Sequence, residues 1–559
     1  MRKTLLTACL LIATSMQAQV LHVNNSDGTY QAFDTKTTGE ITFDEENRLI
    51  SIGLDKENSI TSRFCTEKIT NIAPASNQGK ELTYTLTPAV AFDANDRESY
   101  SEVIQEITTD ELADEYDDFI ENYTASRVVT ISFTETEVKA SNLPSSGITA
   151  TVDGGHIVIN STTGKICYKV KGTCSNGSLK IYSTKKFQLA LNNLNLTNPS
   201  GPAINIQSGK TVYMTLLDGT KNILCDGAVY SEPATGTDGV AEDQKGTLFS
   251  EGQIIFDGYN KGTGTLNVKS LGGHAIASDD YVIIRGGNIN ITEAAKDGIH
   301  TKDKFILGRT AAYSPAVTVN ANNNGIDCRE GYVRIDAGKM EITSGSEAVK
   351  VVYEELVPDQ AVTPDAEING GYIKITTTDE KSSAIKTTRN YTQKGGIIHA
   401  EVKGNGSKSV NCDGEVLVTG GKITGLSSGT LSTDLTSAGG IKSEGNCTIQ
   451  GGTIAIECTG TYSKGFNCNS DVIIDGGDVT LLSTGRIESY EKRGYAITTL
   501  GLTVNGGKLV TSSFDDSVSA TSAAISGGIF HAITESHTTG LEDITTQTGG
   551  WLLYSTGNE

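Results

Sequence analysis

Short runs of alternating apolar and polar residues fill most of the chain, and pairs of adjacent glycines separate many of these runs. The pairs recur mostly at intervals of about 21 to 32 residues, the length of one repeat in a protein built from stacked strands. Glycine tolerates the positive φ angle of a tight corner because it has no Cβ atom. The pattern therefore predicts short strands that turn at each glycine pair.

The strands that precede the glycine pairs align on one bulky apolar residue, which always follows Ala, Gly or Ser. Two residues later comes a mostly smaller side chain, such as Ser278, Thr301 or Cys328. Side chains two positions apart lie on the same face of a strand, so we expect both columns to face the interior. The bulky positions are Ile276, Ile299, Ile326, Val349, Ile385, Val410, Ile441, Phe466 and Ile497.

This repetition predicts an all-β fold: a right-handed parallel β-helix (a solenoid) with a small N-terminal β module and end caps. Crossovers between parallel strands are almost always right-handed, and such repeats bury their interior by stacking. We place the β-helix at residues 126–540, the β module at 19–75 and a C-terminal cap at 541–559. Residues 76–125 are interpreted as a linker that can include a helical cap, because apolar residues recur there at near-helical spacing.

The N-terminus has the features of a signal peptide. Arg2 and Lys3 are followed by an apolar run from Leu5 to Ala13 and by small or polar residues up to Ala18. We therefore predict that residues 1–18 are removed and that the protein is secreted, or lies at the bacterial cell surface or in the periplasm. Lipidation at Cys9 is the less favoured alternative, because apolar residues continue after this cysteine.

The net charge narrows the range of possible binding partners, and the cysteine count limits disulfide formation. The formal net charge is −22, which argues against a nucleic-acid partner because phosphate binding needs a basic surface. The negative charge also disfavours binding of acidic polysaccharides, unless a bound cation bridges the like charges. Ten cysteines are present; loss of Cys9 leaves an odd number, so complete disulfide pairing is impossible.

Acidic residues cluster at outward positions of neighbouring repeats. Carboxylates on adjacent strands are about 4.8 Å apart, and Ca²⁺ accepts six to eight oxygen ligands. The sequence therefore predicts a calcium site, although a solvated acidic surface at polar turns remains the alternative. The predicted metal ligands are Asp280, Asp297, Asp303, Asp327 and Glu330.

Basic and aromatic residues beside these acids are candidates for contact with a sugar polymer. Tyr353 is at an outward position where its ring can stack on a sugar, and Lys350 and Arg389 lie in neighbouring repeats. A base beside a bound cation can also abstract a proton α to a uronate carboxyl group, but neighbouring acids keep such a base protonated. We therefore predict carbohydrate-binding residues and no catalytic residue, and we expect His300 to be a surface histidine.

Three segments in this order carry a family resemblance: Leu216 to Leu224, Gly258 to Val268, and Lys296 to Asp303. They resemble a bacterial secreted carbohydrate-binding β-helix family, whose fold is similar to that of pectate lyases. The resemblance implies binding of cellulose or pectin-like polymers, with calcium ions held by Asp297 and Asp303. The sequence departs from the family where Lys296 and Asn324 stand at positions that are usually acidic.

These features favour a secreted, non-catalytic polysaccharide-binding protein, monomeric and assisted by calcium, that recognises plant-type or similar glycans. A calcium-dependent polysaccharide lyase that uses pectate-lyase-like β-elimination is one alternative. A structural or adhesin-like surface protein is another.

Overall fold

The computed structural model describes residues 20–55, 60–74, 79–85, 87–100, 116–236, 239–308, 314–353, 365–486, 494–535, 539–541 and 544–556. Within these ranges the fold is all-β, with one four-residue α-helix, Asp96–Ser99, and three 3-10 helices, Thr66–Lys68, Tyr116–Asp118 and Ile120–Asn122. None of the described helices is long and apolar enough to cross a membrane. The predicted signal peptide lies outside the described residues.

The chain forms two compact units, which we describe separately. The larger unit contains residues 92–414 and 421–423, and the smaller unit contains residues 1–91, 415–420 and 424–559.

The larger unit is built from three long ladders of parallel strands, which we call ladders 1, 2 and 3. From residue 204 onward the chain visits them in that order, so each strand pairs with the strand three positions later. Ladder 1 contains Gly155–Ser161, Gly177–Ser183, Ile204–Gln207, Gly246–Ser250, His274–Ser278, Ile299–Thr301, Ile326–Cys328, Val349–Val351, Ser383–Thr387 and Lys408–Cys412. The antiparallel strand Ile148–Asp153 precedes it.

Ladders 2 and 3 share the long strand Phe187–Asn198, whose two halves pair with different partners. Ladder 2 contains Arg127–Phe133, Ile166–Cys174, Phe187–Asn198, Val212–Leu216, Ile254–Asp257, Val282–Ile284, Phe305–Leu307, Val333–Ile335, Ala366–Ile368 and Tyr391–Gln393. Ladder 3 continues with Lys221–Asp226, Thr265–Ser270, Asn288–Ala294, Ala316–Ala321, Lys339–Ser344, Tyr372–Thr377 and Ile397–Val402. Val138–Ser141 pairs antiparallel with Arg127–Phe133.

The smaller unit repeats the three-ladder arrangement and adds N-terminal strands. Its ladder 1 contains Gly439–Ser443, Lys464–Cys468, Tyr495–Thr498 and Val518–Ser519. Its ladder 2 contains Val416–Val418, Cys447–Ile449, Val472–Ile474, Gly501–Val504, Ser522–Ile525 and Thr545–Gln547. Its ladder 3 contains Lys422–Ser427, whose first two residues belong to the larger unit, and then Thr453–Cys458, Asp478–Ser483, Lys508–Ser513, Ile529–Thr534 and Trp551–Thr556. The N-terminal strands are Val20–Asn25, Thr29–Asp34, Ile41–Asp44, Leu49–Asp55, Ile60–Cys65, Ile69–Pro74 and Lys80–Glu81.

The predicted inward columns are confirmed. The bulky residues of the larger unit pair in register along ladder 1, and each is at most 1% exposed: Ile276, Ile299, Ile326, Val349, Ile385 and Val410. Ile441, Phe466 and Ile497 do the same in the smaller unit. The cysteines of the second column, Cys328, Cys412 and Cys468, are buried, and no disulfide joins any two cysteines in the described ranges. They therefore act as small core residues.

The small residue before each bulky position makes room for a side chain of ladder 3. A Cβ atom on Gly298 would lie 2.3 Å from Cγ1 of Val319, and one on Gly325 would lie 2.4 Å from Cγ2 of Ile342. Both distances are too short for carbon atoms in contact. The small residue before each bulky position is thus explained by close packing between ladders 1 and 3.

The glycine pairs form corners, as predicted. Nine of the glycine pairs begin at residues 154, 286, 370, 395, 420, 451, 476, 506 and 527. In eight of these nine pairs the second glycine has a φ angle between 68° and 88°, which residues with a side chain rarely adopt. These residues are Gly287, Gly371, Gly396, Gly421, Gly452, Gly477, Gly507 and Gly528. In the remaining pair the first glycine, Gly154, has the positive φ angle and joins two antiparallel strands.

The N-terminal strands cover the last strand of the smaller unit's ladder 3. Ile60–Cys65 pairs antiparallel with Trp551–Thr556. The rings of Phe64 and Trp551 stack with centroids 6.4 Å apart, and the indole Nε1 donates a hydrogen bond to Oγ of Ser62 at 2.6 Å. The strand edge that would otherwise be open is thereby paired.

Residues 116–123, which we call the strap, lie across the outer face of ladder 2 in the larger unit. Ile120 and Tyr123 pack on a buried cluster there, formed by Tyr213, Ile255, Ile283 and Ile306. Arg285 donates two hydrogen bonds to Glu121, at 2.6 and 2.8 Å. Much of the segment with the helical spacing, residues 101–115, lies outside the described residues.

Candidate functional site

The predicted site residues lie on ladder 1 of the larger unit and in the turns that follow its strands. Between the two inward columns runs one outward column, which contains Ala277, His300, Asp327, Lys350 and Lys386 in register. Adjacent parallel strands are about 4.8 Å apart, so each of these side chains starts beside the next. The column changes from imidazole and carboxylate to ammonium groups along the ladder.

Asp297 lies at the centre of a buried polar group and is 2% exposed. Its Oδ1 accepts hydrogen bonds from Nδ2 of Asn323 at 2.6 Å and from the backbone N–H of Asn324 at 3.0 Å. Its Oδ2 lies 3.1 Å from Nδ1 of His274 and 3.1 Å from Nδ1 of His300. The two imidazole rings stack with centroids 4.2 Å apart. We call His274, Asp297 and His300 the histidine–aspartate cluster.

The cluster shifts the pKa of each member. Burial raises the pKa of Asp297, but the hydrogen bonds with His274 and His300 outweigh burial and hold this pKa well below its usual range. Burial lowers the pKa of His274. Burial also acts to lower the pKa of His300, but the carboxylates of Asp297 and Asp327 outweigh it, so this pKa is raised. The two stacked imidazoles therefore differ in proton affinity.

Asp327 extends the cluster from the next strand of ladder 1. Its Oδ2 lies 3.2 Å from Nδ1 of His300 and 3.6 Å from Nε of Arg329. Its Oδ1 lies 4.0 Å from Nζ of Lys350. Asp327 thus connects the buried cluster to a residue that we predicted to contact a sugar polymer.

Asp280, Asp303 and Glu330 lie in the turns after the ladder 1 strands. Gln253 donates a hydrogen bond to Asp280. Burial raises the pKa of Asp280, and repulsion from Asp303 adds to this rise, so the two carboxylates are neighbours. Oε1 of Glu330 lies 3.5 Å from Nζ of Lys302. This group offers oxygen ligands close to solvent.

The five predicted calcium ligands therefore form two groups with different chemistry. Calcium prefers oxygen ligands, but the Oδ2 atoms of Asp297 and Asp327 face imidazole nitrogens, and Oδ1 of Asp297 is already engaged. Their surroundings do not suit calcium. Asp280, Asp303 and Glu330 offer only oxygen atoms and lie nearer to solvent, but among the described residues their carboxylates do not form a group of three within 4.8 Å of one another.

Of the three predicted carbohydrate-binding residues, Lys350 lies in the ladder 1 strand Val349–Val351 and Tyr353 lies two residues after that strand. Arg389 lies two residues after the next ladder 1 strand, Ser383–Thr387. The backbone N–H of Tyr353 donates a hydrogen bond to Oγ1 of Thr388 at 2.9 Å, which places Tyr353 beside the turn that holds Arg389. Nε of Arg389 lies 3.8 Å from Oδ1 of Asp365, and half of the Arg389 side chain is exposed. Lys350 is more buried, with 17% of its side chain exposed.

Of the two histidines in the cluster, only His300 was singled out from the sequence. His274 lies two residues before Ile276, as Asp297 lies two residues before Ile299. The alignment that revealed the acidic columns could therefore have revealed His274 as the neighbour of Asp297. We predicted His300 to be a surface histidine, but only 13% of its side chain is exposed.

A second group of acids lies nearby on the larger unit. Carboxylate oxygens of Asp243, Glu251 and Asp279 lie within 4.8 Å of one another. Nζ of Lys245 lies 2.8 Å from Asp243 and also forms an ion pair with Asp279. The lysine therefore supplies the positive charge that this group needs.

Comparisons with known proteins give one family. A family model described as carbohydrate-binding domain-containing protein matches residues 153–489, more than half of the chain. A curated relative from Acetivibrio thermocellus with the same description is 29% identical over 130 residues, which are 22% of this chain and 41% of the relative. The match thus spans less than half of that relative's length.

One solved structure is also similar, described as the polysaccharide lyase-like protein from C. thermocellum in a gadolinium derivative. It is 22% identical, with a TM-score of 0.36, and the match covers 52% of this chain and 97% of that chain.

Proposed function

This chain belongs to the family of carbohydrate-binding domain-containing proteins, and from that premise we propose that it is a secreted, monomeric, non-catalytic polysaccharide-binding protein. The observation that carries the proposal is the family match over residues 153–489, which includes all the predicted site residues. The ligand is a plant-type or similar glycan, bound outside the cell or at its surface.

The proposed fold is a right-handed parallel β-helix. In each unit the chain visits three parallel ladders in a fixed order, and stacking of this kind leaves only the outer surface for a ligand. Lys350 and Tyr353 lie in and just after one ladder 1 strand, and Arg389 lies just after the next ladder 1 strand. An aromatic ring can stack on a sugar, and a guanidinium group can bind a hydroxyl or carboxylate group.

Binding without catalysis is supported by the surroundings of Lys350. A lysine must lose its proton to act as a base in β-elimination. Asp327 lies 4.0 Å from its ammonium group, and a nearby carboxylate favours the charged form. Lys350 is therefore suited to hold an anionic or hydroxyl group and unsuited to abstract a proton.

Calcium assists this binding in the proposed function. The chain carries a net charge of −22, so an acidic polymer needs a bridging cation. Asp280, Asp303 and Glu330 supply the oxygen ligands, and they lie in the turns beside the outward column of ladder 1.

Addition of calcium is expected to stabilise the protein, because an ion that binds only the folded state stabilises it by mass action. At about ten times the dissociation constant the gain is about 1.4 kcal/mol. Asp303→Ala should reduce the calcium-dependent rise in melting temperature, whereas Glu444→Ala, a change to an exposed turn acid of the smaller unit, should leave it intact. Retention on polygalacturonate should fall in chelator.

Two results would remove calcium from the proposal. One is a melting temperature that does not respond to calcium. The other is polygalacturonate binding that is equally tight with and without chelator. Either result would leave binding of a neutral glucan untouched, since stacking and hydrogen bonds need no cation.

A further inference from the structure

The histidine–aspartate cluster combines three potential metal ligands in a small space. The ligand atoms of His274, Asp297 and His300 all lie within 4.8 Å of one another. Both Nδ1 atoms approach the same carboxylate oxygen, Oδ2 of Asp297, at 3.1 Å. The backbone fixes this convergence, because His274 and His300 lie on adjacent, register-paired strands of ladder 1.

The hydrogen bonds of this cluster do not balance with protein atoms alone. Nδ1 of His274 is 3.2 Å from the backbone N–H of Asp297, which must donate to it, and 3.1 Å from Oδ2 of Asp297, which must accept from it. An imidazole nitrogen carries either a proton or a lone pair. Either state leaves one of the two contacts unfavourable. A cation that takes the lone pairs of Nδ1 and Oδ2 would relieve the contact between these two atoms, and the backbone N–H of Asp297 would then lose Nδ1 as its acceptor.

The donor set identifies the class of cation. Two imidazole nitrogens and one carboxylate oxygen suit zinc and related transition metals, whereas calcium prefers oxygen alone. In a tetrahedral zinc site, bonds of about 2.0–2.1 Å separate the ligand atoms by roughly 3.3 Å. The two N···O contacts of 3.1 Å are close to that separation. Because the two imidazole rings are stacked, one ring would have to rotate so that both Nδ1 lone pairs point at the same ion.

We propose that His274, Asp297 and His300 bind a first-row transition metal ion of the zinc class. Oδ2 of Asp327, 3.2 Å from Nδ1 of His300, is the protein group placed to join or orient the site. Asn323 and the backbone of Asn324 hold the other oxygen of Asp297, which leaves Oδ2 directed at the metal. The ion ties neighbouring strands of ladder 1 together beside the outward column that leads to Lys350.

The test uses the full chain after treatment with chelator, in the presence of excess calcium. Binding of Co²⁺ is followed by electronic absorption, and binding of Zn²⁺ is followed by calorimetry. One equivalent should bind, and the cobalt form should show the intense ligand-field bands of a tetrahedral site. His274→Gln and His300→Gln should each weaken binding by about tenfold or more, since loss of even an outer partner of a metal ligand costs about 10–100-fold. His156→Gln, a matched change on ladder 1, should have no effect.

The proposal is overturned if no saturable binding occurs, if excess calcium displaces the metal, or if both variants bind as tightly as the unaltered protein. Should a variant fail to fold, the cobalt spectrum of the unaltered protein decides alone, because ions held by water and surface carboxylates give only weak bands. No glycan is present in these measurements, so their outcome is independent of the proposed function.

Discussion

Ile456→Asp is expected to destabilise the smaller unit by about 4 kcal/mol, because it places an unpaired carboxylate in the core. Ile456 is fully buried in the strand Thr453–Cys458 and pairs in register with Leu481. Its side chain also fills the space beside Gly440, where a Cβ atom would lie 2.5 Å from Cγ2 of Ile456. Water cannot reach the new charge without separation of the ladders.

The matched control is Ala455→Asp in the same strand. Ala455 lies on the opposite face and pairs with Thr480, so its replacement should cost about 1 kcal/mol or less. Urea unfolding of both variants measures the difference. Equal losses of stability would mean that the inward and outward positions of this strand are wrongly assigned.

Glu121→Ala is expected to cost about 2–3 kcal/mol in the free energy of unfolding, because it removes the carboxylate that neutralises a buried guanidinium group. The Arg285 side chain is 3% exposed, and it also lies over the ring of Phe119 at 4.8 Å. Burial raises the pKa of Glu121, but the hydrogen bonds and charge of Arg285 outweigh it and keep this pKa low. Since 57% of the Glu121 side chain is exposed, solvent screening keeps the cost below that of a fully buried pair.

A double replacement distinguishes the contribution of the ion pair between Glu121 and Arg285 from that of packing against Phe119. Arg285→Met removes the buried charge and keeps an apolar side chain against Phe119. Glu121→Ala combined with Arg285→Met should therefore be more stable than Glu121→Ala alone in thermal unfolding. A double variant that is less stable than both single variants would show that the ion pair does not hold the strap in place.

The register of ladder 1 could be predicted because it depends on local rules that repeat. Alternation of side chains fixes which residues face inward, and the position of Ile299 or Cys328 relative to its glycine corner recurs in repeat after repeat. The small residue before each bulky one follows from the same packing, as Gly298 beside Val319 shows. Each repeat is therefore independent evidence for the same arrangement of strands and corners.

Side-chain partners were harder to predict than positions. Asp297 and Asp303 both belong to acidic columns, but one is enclosed by two histidines and the other lies in an exposed turn, and the sequence gives no rotamers. The contacts of the strap also could not be predicted from local rules, because Glu121 and Arg285 are 164 positions apart in the sequence. Contacts of this kind depend on how a non-repeating segment crosses a repeating surface.

The most direct test of carbohydrate binding is retention of the full chain on an array of neutral and acidic polysaccharides, with calcium and then with chelator. We expect saturable retention on at least one polysaccharide, weakened by Tyr353→Ala and Arg389→Ala and unchanged by Lys403→Ala, an exposed lysine after the last ladder 3 strand of the larger unit. We also expect no unsaturated sugar product to accumulate. Absence of retention on every polysaccharide, or steady release of unsaturated product, would contradict a non-catalytic carbohydrate-binding function.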